Sequence, residues 1–274
     1  TPPGSEPTPL AQSQRQPQGT VLEIDAQTSI PVIIAELSRL ITPAKQREIA
    51  QRKTRHIRAN RENFLATLRA AVEEKKKGWD LSPVSTARIY AELWPLIMDE
   101  DWCLASPSNF SGAHHRELWE HNKPYSFLGT QGAAGMGYGP GASAGAALAA
   151  RSRGRFVVNV QPDGDLNYAP GALWTAVHHE LPMLTVMHNN RAWHQEYMFI
   201  QYLAGVRGRG TDRGHIGCVL RDPFIDYSKM AQAYGMDSEG PIEDPALLAA
   251  ALGRGVESVK TGKPYLIDVV TQPR

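Results

Sequence analysis

The apolar run Phe156-Val-Val-Asn-Val-Gln-Pro162 leads into Asp163-Gly164-Asp165, and a second run, Pro182-Met-Leu-Thr-Val-Met-His188, leads into Asn189-Asn190. The residue types at these two ends suit a divalent cation with an anion beside it. Asp163 offers a hard carboxylate oxygen of the kind Mg²⁺ prefers, and Gly164 lets the backbone approach a ligand and aim its amide at it. Each half alone is common, since Asp-Gly is a turn in most proteins and Asn-Asn after a strand is usually a loop. Their spacing allows them to act together. The twenty-seven positions from Asp163 to Asn190 suffice for a strand, a crossover helix and the next parallel strand, so both side chains project from one rim.

The elements that must hold that rim are legible from Ser82 onward. Pro83 opens a helix running to Ile97. A strand over Trp102 to Ala105, a Gly/Ala-rich helix across Gly137 to Ala150 and a strand over Phe156 to Val160 follow. Next come a helix over Gly171 to His179, a strand over Met183 to His188, a long loop, a helix around Ser228 to Tyr234 and a strand over Tyr265 to Val270. This alternation predicts an α/β fold, a parallel sheet flanked by helices on both faces. Ligands bind outside the carboxyl ends of such strands, where Asp163 and Asn190 fall.

Upstream, residues 1–19 are rich in Pro, Gln and Ser and read as a linker. Val21 to Asp25 reads as a short strand, and Pro31 to Ile41 as a helix that Pro43 closes. Residues 44–80 read as a charged helical connector ending in Lys75-Lys76-Lys77. Its acidic residues are interleaved with the basic ones and no aromatic platform accompanies them, which favours a solvated helix over a nucleic-acid surface. The adjacent His114-His115 reads as helix surface.

Of 274 residues, 42% are apolar and 21% charged, an ordinary globular composition. The formal net charge of +1 gives no whole-chain field for nucleic acid or an anionic membrane. Cys103 and Cys218 lie far apart without metal-type spacing, so neither a disulfide framework nor a zinc site is expected. A reducing, cytoplasmic setting fits. No run approaches the roughly eighteen apolar residues of a membrane helix, and the amino terminus lacks signal-peptide order.

Asp163-Gly164 followed by Asn189-Asn190 resembles the GDG…NN motif of thiamine-diphosphate enzymes in the acetolactate synthase and pyruvate decarboxylase family. Ser82 to Arg274 is similar to that family's diphosphate-binding domain, and Thr20 to Ile41 resembles the end of its central domain, making residues 20–43 a remnant of that domain and 81–274 the binding domain. The resemblance implies Mg²⁺ held by the Asp163 carboxylate, the Asn190 amide oxygen and the Ala192 carbonyl. It implies that Met136, in the Gly-rich segment Leu128 to Gly139, wedges beneath the cofactor, and that the Ala134 carbonyl accepts from the cofactor's amino group. The glycine spacing there does not match a dinucleotide loop. Asn109 and Ser111 fall where the family's first loop meets diphosphate or pyrimidine. This chain departs from the motif at Pro162, usually Gly, and at Asp165, usually Ser or Ala. A second carboxylate beside a diphosphate repels it unless it turns away or meets a cation.

Glu196 lies six residues past Asn190, where the pyruvate decarboxylase branch carries an acid able to move protons, and His194 is the neighbouring candidate. Val206 to Arg213 is cationic and falls where the family has a closing loop. The resemblance further implies an activating Glu on a pyrimidine-binding domain or subunit, in a homodimer or tetramer of the complete enzyme. The expected reaction is decarboxylation or carboligation of a small 2-oxo acid. The alternatives are a 2-hydroxyacyl-CoA lyase or oxalyl-CoA decarboxylase acting on an acyl-CoA, and a non-catalytic regulatory homologue.

Overall fold

A computed structural model of the chain describes residues 25–107, 114–129 and 135–272. The chain forms two units divided between Asn63 and Phe64. In the first, α1 (Ala26–Leu40) is capped by Asp25, whose carboxylate accepts from the Thr28 amide at 2.8 Å. The strand expected over Val21 to Asp25 falls mainly outside the described residues, and Asp25 is a helix cap. α1 ends at Leu40, ahead of Pro43 as expected, and Pro43 itself starts α2 (Pro43–Lys75), as suits a residue with preset φ and no N–H to lose in a first turn. The residues of α2 from Phe64 on belong to the second unit. The charge in this helix is laced by neighbouring pairs such as Lys45–Glu48 and Arg58–Glu62.

The second unit carries the strands β1 (Trp102–Ser106), β2 (Phe156–Pro162), β3 (Met183–Asn189), β4 (Asp237–Ile242) and β5 (Tyr265–Val270). Between them lie α3 (Thr86–Ile97), α4 (His114–Leu118), α5 (Tyr138–Ala150), α6 (Asp163–Leu166), α7 (Gly171–His178), α8 (His194–Val206), α9 (Tyr227–Ala233) and α10 (Leu248–Lys260). The sheet is parallel throughout, in the order β1-β2-β3-β5-β4. The steps from β1 to β2 to β3 move one way across it and carry α5 and α7. The step from β4 to β5 moves the other way and carries α10, so right-handed crossovers put α10 on the opposite face.

Side chains on alternate positions feed two cores. Val158, Val160, Leu184, Val186, Ile267 and Val269 pack with α3 and α10. Val157, Met183, Met187 and Leu266 pack with α5, α7 and α9. Burying one such side chain contributes about 1.5–3 kcal/mol, and both faces of the sheet are covered as the alternation predicts.

Further details differ from the sequence reading. The helix expected to open at Pro83 begins at Thr86, and Val84 instead bridges to Thr271. The long loop expected after Asn190 contains α8. The span between α9 and β5 holds β4 and α10, which the reading left unassigned. And His115 is not helix surface: it is buried at 6% exposure among Tyr90, His121 and Phe127. Burial lowers its imidazole from 6.5 to about 4. Among the described residues no helix is long and apolar enough to cross a membrane.

Candidate functional site

β2 ends at Pro162 and β3 at Asn189, so Asp163 and Asn190 each stand one residue beyond a strand, on neighbouring strands of the same rim. Arg191, at φ 59°, then reverses the chain. The turn is pinned by an antiparallel bridge of Ala192 with Val219, in which the Trp193 amide donates to the Cys218 carbonyl at 2.8 Å and the Leu220 amide to the Arg191 carbonyl at 2.7 Å. That pattern uses the groups flanking Ala192 and leaves its own N–H and C=O on the opposite edge. The N–H points to the strand ends: it is 3.1 Å from Asp163 Oδ2 and 3.1 Å from Asn190 Oδ1. The carboxylate and the amide oxygen therefore converge on one donor.

Asp163 is 1% exposed. Burial raises its carboxyl to about 7, against the pull of the Gly164, Ala192 and Arg191 amides. Oδ2 accepts from Ala192, while Oδ1 is buried without a hydrogen-bond partner among the described residues. Groups of three or more His, Cys, Asp and Glu that could hold a metal do not occur among the described residues; what the rim gathers instead is a carboxylate and an amide oxygen, beside the backbone of Ala192. Oxygen donors of this kind suit Mg²⁺ when further ligand oxygens and water complete its shell.

Asp165 turns away from this convergence. Its Oδ1 accepts from the Gly137 amide at the start of α5, and its Oδ2 from Gln161 Nε2 at 2.9 Å. A carboxylate at a helix amino terminus is favoured by the exposed amides and the helix dipole. Gly137, at φ 83°, would place a Cβ 2.8 Å from Tyr168 Cβ, and a Cβ on Gly139 would lie 2.8 Å from both Asp165 Oδ2 and Gln161 Oε1. The extra carboxylate thus fastens the Gly-rich turn to β2. Met136, next to that turn, is 48% exposed. Asn109, Ser111 and Ala134 lie outside the described residues.

Behind the rim is a buried network absent from the sequence reading. Tyr227 at the start of α9 donates its hydroxyl to the Asp163 carbonyl at 3.3 Å and accepts from Asn167 Nδ2 at 3.1 Å. Burial, with Asp163 nearby, pushes its phenol up. Asp268, in the middle of β5, accepts from the Tyr227 amide at 3.0 Å and from Asn189 Nδ2 at 2.9 Å. The first Asn of the Asn-Asn pair thus braces the rim while the second faces it. One signal was present in the sequence: Asp268 interrupts an otherwise apolar strand.

Glu196 and His194 sit in the first turn of α8, directly after the Ala192 bridge. Burial and the nearby Glu196 carboxylate raise the Cys218 thiol. His194 Nε2 is buried without a hydrogen-bond partner among the described residues.

Comparison with known proteins gives the context. The chain matches the family model described as thiamine pyrophosphate enzyme, C-terminal TPP binding domain, over residues 110–269. It is 29% identical over 195 residues to the acetolactate synthase large subunit IlvG of Mycobacterium tuberculosis, covering 71% of this chain and 32% of that one. It is also 29% identical over 145 residues to the benzoylformate decarboxylase of Pseudomonas aeruginosa, covering 51% and 24%. The thiamine diphosphate-dependent 4-hydroxybenzoylformate decarboxylase of Rhodococcus jostii RHA1 shares the fold, with a TM-score of 0.58 at 21% identity, covering 70% of this chain and 33% of that one. The chain spans about a third or less of the length of the curated relatives it matches. With the family model matched over more than half of its residues, the chain belongs to the thiamine-diphosphate-dependent enzymes and carries their C-terminal cofactor-binding domain.

Proposed function

We propose that Asp163, Asn190 and the Ala192 carbonyl hold Mg²⁺, and through it the cofactor's diphosphate, in an enzyme that decarboxylates or carboligates small 2-oxo acids. The convergence of Asp163 Oδ2 and Asn190 Oδ1 on the Ala192 amide carries this reading. The buried Asp163 Oδ1 supports it, because a carboxylate oxygen without a donor among the described residues fits beside a cation.

The bound cofactor supplies a nucleophilic carbon and an electron sink for the bond that is broken. The chain's own residues orient and hold. Tyr227 and Asp268 fix the strand ends so that the ligand oxygens need not reorganise on binding. Asp165 and Gln161 fasten the turn that presents Met136 to the ring system. Glu196 and His194, on the turn that leaves the Ala192 bridge, are the groups placed to move a proton at the reacting carbon. The carboxylate that activates the cofactor's pyrimidine comes from another domain or chain, within a homodimer or tetramer of the complete enzyme.

Calorimetric titration with thiamine diphosphate, in the presence of Mg²⁺ or of a chelator, tests the reading. Binding that requires Mg²⁺ and disappears in Asp163→Ala is expected. Absence of binding under every condition, with and without a copurifying partner, refutes it.

A further inference from the structure

Trp193 follows Ala192 directly, and its position is fixed from three sides. Its amide donates to the Cys218 carbonyl at 2.8 Å. Its ring meets Tyr168 edge to face at 6.2 Å between centroids. Its Cδ1–Nε1 edge lies against Gly164 so closely that a Cβ there would be 2.6 Å from Cδ1 and 2.7 Å from Nε1. The indole nitrogen at this edge is buried and has no hydrogen-bond partner among the described residues. An indole N–H can only donate, and burying a donor unsatisfied is costly enough that such groups call for an explanation.

The same lack holds for Asp163 Oδ1, on the residue before Gly164. One of these orphans is a donor and the other an acceptor. A cation alone satisfies the carboxylate and leaves the indole unpaired, whereas an anion alone satisfies the indole and is repelled by the carboxylate. A cation carrying an anionic oxygen ligand satisfies both. We infer that the Trp193 indole N–H donates a hydrogen bond to an oxygen of the metal-bound diphosphate, making Trp193 a cofactor-binding residue. The inference rests on the cation site proposed above. It also accounts for glycine at position 164, since any side chain would displace the indole edge from this place.

The chain contains six tryptophans, so indole ¹⁵N–¹H spectra are tractable, and Trp193→Phe assigns the resonance of interest while keeping an aromatic ring. Adding Mg²⁺ and thiamine diphosphate to the wild type is expected to shift the Trp193 indole proton downfield and slow its exchange with solvent. By calorimetry, Trp193→Phe is expected to bind Mg²⁺–thiamine diphosphate about ten- to a hundredfold more weakly, the range for a hydrogen bond to a charged group. Mg²⁺ with inorganic pyrophosphate, a probe without the rings, should show the same loss. A Trp193 resonance that stays unmoved while the wild type binds cofactor, or a variant that binds as tightly as the wild type, overturns the inference and leaves the cation site standing. A wild type that binds no cofactor overturns the cation site, and this inference with it. If Trp193→Phe fails to fold, the wild-type resonance, assigned through Trp193→Tyr, still decides.

Discussion

Replacing Asp268 with asparagine tests whether the carboxylate behind the rim is held against its own ionisation. Asp268 is fully buried and accepts two hydrogen bonds, yet burial raises its carboxyl from 3.8 to about 6. Between those values the unfolded chain has released a proton that the folded chain keeps. The stability from this group is therefore fully present below 3.8 and is lost as pH rises through about 6. At about 1.4 kcal/mol per pH unit, the loss comes to about 3 kcal/mol. Asparagine does not titrate. It keeps one acceptor oxygen but turns an NH₂ group toward the second donor, leaving a buried N–H unpaired at about 1–3 kcal/mol. Asp268→Asn should accordingly be less stable than the wild type by about that amount near pH 4, with the gap closed or reversed above pH 7. Urea unfolding followed by tryptophan fluorescence across this range measures the gap. Wild-type data alone would mislead, because His115 acts with the opposite sign: its folded value is lowered to about 4, so its contribution is present above 6.5 and lost as pH falls through about 4. A gap between the two proteins that stays constant across the range refutes the reasoning.

Three further outcomes are expected. Because the Asp163 carboxyl stands at about 7 and must lose its proton to meet a cation, affinity for Mg²⁺–thiamine diphosphate should fall about tenfold per pH unit below that value and level off above it. Calorimetry near pH 6, 7 and 8 showing no change would contradict this. Asp165→Ala strips the acceptor from the Gly137 amide and Gln161 Nε2 and should lower stability by about 1–3 kcal/mol; an unchanged urea midpoint would mean that the carboxylate does not fasten the turn. His115→Phe removes two ring nitrogens that are buried without partners among the described residues and should stabilise the protein near pH 5, where wild-type His115 resists protonation, by more than it does near pH 8; thermal unfolding at the two values compares them.

The parallel sheet was legible because β1, β2, β3 and β5 are short apolar runs at crossover spacing. β4 was not: Asp237-Ser-Glu-Gly-Pro-Ile242 carries two acids, a glycine and a proline, and is a strand only because β5 offers it an edge. α10 was missed because Gly253 and Gly255 weaken its helical signal, although a Cβ on Gly255 would lie 2.8 Å from Ile267 Cδ1 and Leu184 Cδ1. The packing against the sheet chose that glycine, and no local pattern shows it. The placement of Asp163 and Asn190 on one rim was legible from spacing, whereas Tyr227 reaches the Asp163 carbonyl from sixty-four positions away and Asp268 reaches Asn189 from seventy-nine. His115 misled for the same reason. Next to His114 and Arg116 it looks like surface, and only the aromatic rings brought around it make it interior.

The distribution of buried polar groups explains how one sheet both anchors the fold and serves the rim. On the face toward α3 and α10, β2 and β5 stay apolar to their carboxyl ends, through Val160 and Val269. On the opposite face, β2, β3 and β5 carry Asn159, Gln161, Thr185, Asn189 and Asp268, all buried. Because side chains alternate with a period of two, this segregation needs only every second residue to change character, so the core under α3 and α10 keeps its apolar packing. The register sets Asn159 beside Thr185, and Met187 beside Asp268. From there Asn189 links Asp268 to the rim, and Gln161 links β2 to Asp165 and the Gly-rich turn. A change at Asp268 or Gln161 therefore reaches the rim through one or two hydrogen bonds, whereas an apolar change on the other face must act through the sheet itself. The polar groups that hold the rim thus share their face with the second apolar core, of Val157, Met183, Met187 and Leu266.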